Sequence, residues 1–276
     1  MMFKKKLTSA LFYIIAICLA IIYVIPLWWD LSTSLRTDAN LFDPNQWIPH
    51  PITFKHYSEL FVVLPDFWRY TLNTLNIATM ATVGVLLSCS MAGYALARLD
   101  FPGKNILLMI ILATLMIPSQ VTLIPTYVLF RELGWINTLL PLIIPSFFGN
   151  AFATFFFRQF MLSIPGELEE AVFIDGGNRF HVFMNVIIPI SRPAFLTIGL
   201  ITFIGNWNGF FNPTIYLQTM DKWVLTQALQ SLSGLYSSQW GEIMAGVILM
   251  SLPILLLYIL LQRFIVKGIV VGAIKG

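Results

Sequence analysis

The sequence predicts an all-α, polytopic membrane protein with six transmembrane helices, and three observations carry that expectation. Of 276 residues, 58% are hydrophobic and only 11% charged, with a mean hydropathy of +0.80, a balance that ordinary soluble domains do not reach. The apolar residues gather into runs long enough to cross a bilayer. The basic residues then divide unequally between the two sides that six spans define. Lys4, Lys5, Lys6, Arg98, Lys104, Arg158, Arg179, Arg192, Arg263, Lys267 and Lys275 fall on the side of the termini. Arg36, Lys55, Arg69, Arg131 and Lys222 fall on the other. The positive-inside rule therefore places the N-terminus and C-terminus in the cytoplasm. No repeat, low-complexity tract or flexible linker interrupts the chain, so residues 1–276 are expected to form a single transmembrane domain.

The first run, Ala10 to Trp29, follows three lysines. It is too long for a signal-peptide core and lacks a small-residue cleavage site, so it reads as a retained span with Trp28 and Trp29 at the interface. Residues 30–69 are polar and Pro-rich and read as an outer loop. His50 and His56 flank Pro51 there without a matching carboxylate cluster, so a solvated or interfacial loop is favoured over a metal site. A second span covers about 71–93, where Gly84, Ser88 and Ala92 form a small-residue face for close helix approach. The third, about 106–125, carries Pro118, Gln120 and Pro125 and should be irregular in its outer half, with the amphipathic segment from Thr126 along the interface. The fourth, about 139–160, contains Pro141, Pro145 and Asn150. The fifth, about 194–216, holds Asn206, Trp207 and Asn208, and the sixth, about 242–262, holds Pro253. Cys18 and Cys89 lie inside apolar runs and read as small hydrophobes, not as a disulfide framework.

Between the fourth and fifth spans, residues 163–193 form the longest polar stretch on the cytoplasmic side. Ser163 and Pro165 suit a helix start, and Glu167, Glu169 and Glu170 place negative charge where the helix dipole favours it. Gly176 and Gly177 allow a sharp turn, and Asn178 can cap a second helix with Phe180, Phe183, Val186 and Ile187 on one face. Pro189 and Pro193 should end it. The element is built to dock on something.

Glu170-Ala171, Asp175-Gly176, Phe183, Pro189 and Pro193 resemble the EAA loop of ABC-importer permeases, E-A-A-x-x-D-G-A followed by F and L-P-x-x-x-P. Val172 and Gly177 stand where that pattern has Ala, Val186 where it has Ile, and Ile188 where it has Leu. The C-terminal tail from Gln262 resembles that of the maltose-type carbohydrate permeases, and the likeness extends from about residue 41 to the end. It implies the type I ABC importer permease fold in the cell membrane and the smaller of two permease subunits. Glu170, Ala171, Asp175, Gly176, Phe183, Pro189 and Pro193 would couple to the ATPase. The implied partners are a second permease, two copies of an ATPase subunit that hold ATP and Mg, an extracytoplasmic solute-binding protein and the lipid bilayer; nucleic acid is not among them. The implied cargo is a sugar or oligosaccharide, with a glycerophosphodiester or other non-sugar as the alternative. Gly177, where the pattern has Ala, is expected to accept alanine almost silently.

The residues themselves agree that the engine lies elsewhere. Gly103-Lys104 is followed by Asn105 and preceded at the required distance by Arg98, so it is no P-loop, and no nucleophilic or paired-carboxylate catalytic set is placed to act. An enzyme is not expected, and no cofactor is expected on this chain. The ionisable residues lie almost wholly outside the spans, which argues against an ion-coupled carrier. Asn206, Trp207 and Asn208 admit two readings: polar links between helices, or hydroxyl partners beside an aromatic face in a sugar pathway. Within the maltose-type family that pocket can lie mainly on the partner permease.

Overall fold

A computed structural model describes residues 2–234 and 239–273, which places the last residues of the C-terminal tail, 274–276, outside the described residues. It is built from α-helices, with no strand among the described residues. In chain order they are α1 (Met2–Ser34), α2 (Lys55–Val63), α3 (Phe67–Arg98), α4 (Lys104–Thr114), α5 (Ser119–Glu132), α6 (Leu140–Ile143), α7 (Ala151–Leu162), α8 (Glu167–Ile174), α9 (Arg179–Val182), α10 (Ile188–Ile190), α11 (Arg192–Trp207), α12 (Phe211–Tyr216), α13 (Leu225–Ser231) and α14 (Trp240–Ala273).

Among the described residues, four segments are long and apolar enough to cross a membrane without a sharp bend: Leu11–Ser34, Phe67–Arg98, Leu140–Leu162 and Trp240–Gln262. Two more pass only as bent pairs, α4 with α5 at 97° and Arg179–Ile190 with α11 at 73°. The expected third span is thus corrected: its helix stops at Thr114. Pro118 has no N–H to offer the Thr114 carbonyl, which takes the Ile117 N–H at 3.3 Å instead. The chain then turns, and the new helix starts at Ser119, not at Thr126. The expected fifth span is shorter too, because α11 ends at Trp207. The fourth is interrupted by a 3-10 turn at Ile144–Phe148 with Pro145 in its first turn, before Asn150 caps α7 by accepting the Ala153 N–H at 3.0 Å.

The chain divides into two compact units. The first comprises Met1–Phe67 and Ala228–Ile254. Its outer loop is gathered by Arg36, which is 0% exposed. The guanidinium donates to Ser32 Oγ and to the carbonyls of Leu41, Asp43 and Gln46, and it lies 4.5 Å from the Trp29 ring centroid. Only the planar fork of arginine reaches so many acceptors at once while stacking on an indole. Trp28 donates to the Trp47 carbonyl at 3.0 Å, so the tryptophans expected at the interface also fasten this loop.

His56 is 1% exposed, so the solvated or interfacial reading fails at this residue, although His50 is exposed as expected. Its Nδ1 lies 3.2 Å from Glu242, 186 residues away, and its Nε2 3.6 Å from Asp38. The Lys55 ammonium binds Asp38 at 2.6 Å and Glu59 at 3.5 Å. The hydrogen bond from Lys55, helped by its charge and that of His56, holds the Asp38 carboxyl below its ordinary range, against a smaller opposing effect of burial. That contact is complete above the ordinary carboxylate pKa and is lost as pH falls through the lowered value. A Cβ added at Gly241 would lie 2.2 Å from the His56 ring. Gly241→Ala is therefore expected to destabilise the protein by about 1–3 kcal/mol, read as a lower melting temperature in detergent. In a His56→Ala background the same change should cost far less.

The second unit comprises Trp68–Gln227 and Leu255–Gly276. Its main core joins α3, α7, α9, the turn after α9 and α11 through Val85, Cys89, Phe157, Met161, Val182, Ile187 and Ile198, among others. The small-residue face of α3 performs as expected at Gly84, where a Cβ would meet the Phe147 ring at 2.7 Å, and at Ser88, which donates to the Ser146 carbonyl at 3.2 Å. One turn on, the close approach falls at Gly93 against Phe157. Cys89 does more than fill space: its sulfur accepts the Asn150 N–H at 3.1 Å beside the break in the fourth span.

Candidate functional site

The 163–193 loop folds as two short helices around a glycine turn. Ser163 caps the end of α7 instead of starting α8, whose first residue is Glu167 after Gly166. Glu167, Glu169 and Glu170 occupy its first turn as charge against the dipole requires. Gly176 has φ +78°, the left-handed conformation that closes α8, and the Gly177 N–H returns to the Val172 carbonyl at 2.8 Å. Asn178 caps α9 reciprocally: its side chain accepts the His181 N–H at 3.0 Å, and His181 Nδ1 accepts the Asn178 N–H at 3.4 Å.

Pro189 does not end the second helix. The residues Phe183–Ile187 open into a π turn, with the Ile188 N–H reaching back to the Phe183 carbonyl, and the helix runs on through Ile190. The wider turn accommodates a proline that has no N–H to give. Ser191 then separates α10 from α11, where Pro193 sits in the first turn.

Burial divides the loop into an inner and an outer face. Val182 and Ile187 enter the core and Phe183 packs beside them, its ring 5.1 Å from Tyr94. Phe180, expected on that same face, is 68% exposed, and Ile174 at the end of α8 is 86% exposed. Glu170, Ala171, Asp175 and Gly176 are also open. The acid that the core takes in is Glu169, only 6% exposed. Its Oε1 pairs with Arg98 Nε at 2.9 Å and its Oε2 with Arg179 at 3.4 Å. The Arg179 guanidinium lies over the Phe173 ring at 4.8 Å. Sequence reasoning singled out Glu170 and passed over Glu169, whose role depends on Arg98, a residue read only as a topological charge.

Asn206, Trp207 and Asn208 are separated by their helix end. Asn206 donates to the Thr202 carbonyl at 2.9 Å and lines a cavity of about 300 Å³ with Asn150, Ser146, Thr202 and Gly205. Trp207 is buried and stacks on Phe203 at 5.7 Å, and it is not part of that lining. Asn208 caps α11 and is exposed. Elsewhere, the ligand-type atoms of His56, Glu59 and Glu242 lie within 4.8 Å of one another, with the Lys55 ammonium already on Glu59.

The family of binding-protein-dependent transport system inner membrane components matches residues 84–271, more than half of the chain. This chain belongs to that family. As a multi-pass permease of an ABC transport system it is 30% identical to the arabinooligosaccharides transport system permease protein AraQ of Halalkalibacterium halodurans, over 99% of this chain and 100% of the relative. It is 28% identical to the diacetylchitobiose uptake system permease protein NgcG of Streptomyces coelicolor, over 97% of this chain and 89% of that one. Among solved structures, a bacterial ABC transporter involved in the import of the acidic polysaccharide alginate superposes with a TM-score of 0.79 at 25% identity, covering 93% of this permease and 97% of the other chain. The helical permease therefore has the type I ABC importer fold.

Proposed function

We propose that this permease is one of two membrane subunits through which a sugar or oligosaccharide, delivered by a solute-binding protein, enters the cell at the expense of ATP hydrolysed on separate subunits. The observation that carries the coupling half is the pair Ile174 and Phe180, large apolar side chains held in the open beside the Gly176 turn. An exposed apolar pair on a capped, rigid element is what a protein cleft accepts. On this reading residues 163–193 are the cytoplasmic coupling loop. Ile174 and Phe180 enter the ATPase cleft, while Glu170 and Asp175 stand free to meet basic groups on its rim. Ala171, Gly176, Phe183, Pro189 and Pro193 set the loop's shape. The whole chain acts as one transmembrane domain.

The carbohydrate half is supported by relatives named for arabinooligosaccharides and diacetylchitobiose, and by the alginate importer. The cavity beside Asn206 supplies amide and hydroxyl partners of the kind that sugar hydroxyls use, at a break between helices. The deciding experiment is reconstitution. The purified permease alone is expected to show no ATP labelling and no turnover. Uptake of an oligosaccharide should require the second permease, the ATPase and the binding protein together. ATP turnover by this chain alone would refute the reading, as would uptake that follows an ion gradient.

Orientation has its own test. In a background of Cys18→Ala and Cys89→Ser, single cysteines at Lys5, Lys104 and Asn178 should resist an impermeant thiol reagent in intact cells. Cysteines at Asn45 and Asp221 should react. Labelling at Asn178 from outside would invert the topology.

A further inference from the structure

We infer that the buried pair Glu169–Arg98 is the strut through which movement of α8 reaches the membrane helices α3 and α7. The inference rests on the coupling-loop reading above and names the residue that would make the loop an effective lever.

The helix α8 has only eight residues, and most of its apolar side chains look outward: Leu168, Phe173 and Ile174 are exposed, and Val172 alone packs beside the core. So short an amphipathic piece has little grip on the rest of the chain through burial. Its polar attachment is different. Glu169 is drawn into the protein while Glu167 and Glu170, on the same first turn, stay in solvent. It meets Arg98, the last residue of α3.

Arg98 has a second task. One of its terminal nitrogens donates to the carbonyl of Met161, at 2.7 Å, and to that of Ile164, at the end of α7. A cation at a helix C-terminus is favoured by the dipole, and Arg98 adds to the Ile164 N–H that the Met161 carbonyl already accepts at 3.2 Å. Arg158 on α7 returns the arrangement by donating from Nε to the Leu96 carbonyl at 3.3 Å, near the end of α3. The two helix ends are thus tied to each other by two arginines, and Glu169 is tied to one of them. Arg179 closes the set from α9, its carbonyl accepting from the Tyr94 hydroxyl of α3 at 3.4 Å.

A guanidinium is flat and stiff, so its Nε edge and its terminal edge cannot move independently. A displacement of α8 that shifts the Glu169 carboxylate must either carry Arg98, and with it both helix ends, or leave a buried charge unpaired. The second outcome is costly. That asymmetry makes the pair a transmitter in addition to an anchor.

The test uses the complete transporter in proteoliposomes and reads substrate imported per ATP hydrolysed. For Glu169→Gln the ATPase subunits should co-purify at wild-type stoichiometry and hydrolysis should persist, while import per ATP falls about tenfold, because the buried arginine loses its counter-charge. Arg98→Lys, which keeps the charge but not the fork, should lower the same ratio. Glu169→Asp, which sets the carboxylate back by one methylene, should fall between wild type and Glu169→Gln. An unchanged ratio in Glu169→Gln overturns the inference. So does a parallel loss of hydrolysis, import and bound ATPase, which would reduce Glu169 to a folding contact. If Glu169→Gln does not accumulate, the ratio in Glu169→Asp decides alone, and a wild-type value there overturns it. The underlying coupling-loop reading is checked separately, by cross-linking a cysteine at Ile174 in the otherwise native chain to the ATPase. Failure there removes the lever itself, whatever Glu169 does.

Discussion

Gly176→Val is expected to abolish uptake while leaving the permease in the membrane at near-normal abundance. At φ +78° the residue occupies the left-handed region, and a Cβ there meets no atom within 4 Å, so the penalty is conformational and not steric. It amounts to about 1–2 kcal/mol for an ordinary L-residue and more for a β-branched one. The spans lose no packing by it. The strain falls on the turn that sets α8 against α9, and so on the relative placement of Ile174 and Phe180. Two measurements check this: membrane abundance by blotting, and recovery of the ATPase on co-purification, which should drop together with uptake. Normal uptake with normally bound ATPase would make the loop a connector and end the coupling assignment.

Gly177→Ala is expected to be nearly as harmful, against the expectation of a near-silent change drawn from the family pattern. A Cβ at Gly177 would lie 2.5 Å from Val172 Cγ1 and 2.8 Å from the Val172 carbonyl oxygen. Neither atom can step aside cheaply, one being on a β-branched side chain and the other on a helix backbone. The resemblance explains why alanine stands there in other sequences: the pattern has Ala at both 172 and 177, whereas this chain has Val and Gly. The larger residue at one position has taken the space of the smaller residue's methyl at the other. Overpacking of this kind costs about 1–3 kcal/mol. Gly177→Ala should therefore lower ATPase co-purification on its own, and Val172→Ala with Gly177→Ala should recover most of it, the residue of the cost remaining at the carbonyl. A double variant no better than Gly177→Ala alone would show that the two positions do not share that space.

What could be read before the structure follows the range of the interactions involved. The glycine turn at Gly176, the Asn178 cap and the acidic first turn of α8 are decided by neighbours within a few residues, and they stand as expected. The small-residue face at Gly84 and Ser88 is a periodicity and was equally visible. The burial of Glu169 is not legible there, because it depends on Arg98 across 71 positions of sequence. His56 failed in the same manner, since Glu242 is 186 residues away. Prolines marked trouble but not its form. Pro118 ends α4, whereas Pro189 is carried inside a helix by the π turn before it. Phe180 departs from the expected face for a related reason: it lies in a four-residue helix that gives way at once to wider turns, so a 3.6-residue period projected from Phe183 and Ile187 does not hold.

The turn of 97° between α4 and α5 leaves this chain ill suited to lipid by itself. A helix of 11 residues rises only about 16 Å, half the depth of the hydrocarbon layer. There the hydrogen-bond ladder is interrupted, and Met116 and Ile117 within the break are exposed. Acyl chains offer nothing to an interrupted backbone, which is stable only against protein or water. The surface around this break therefore calls for a protein or water neighbour within the membrane. That demand is written into the backbone between Thr114 and Ser119.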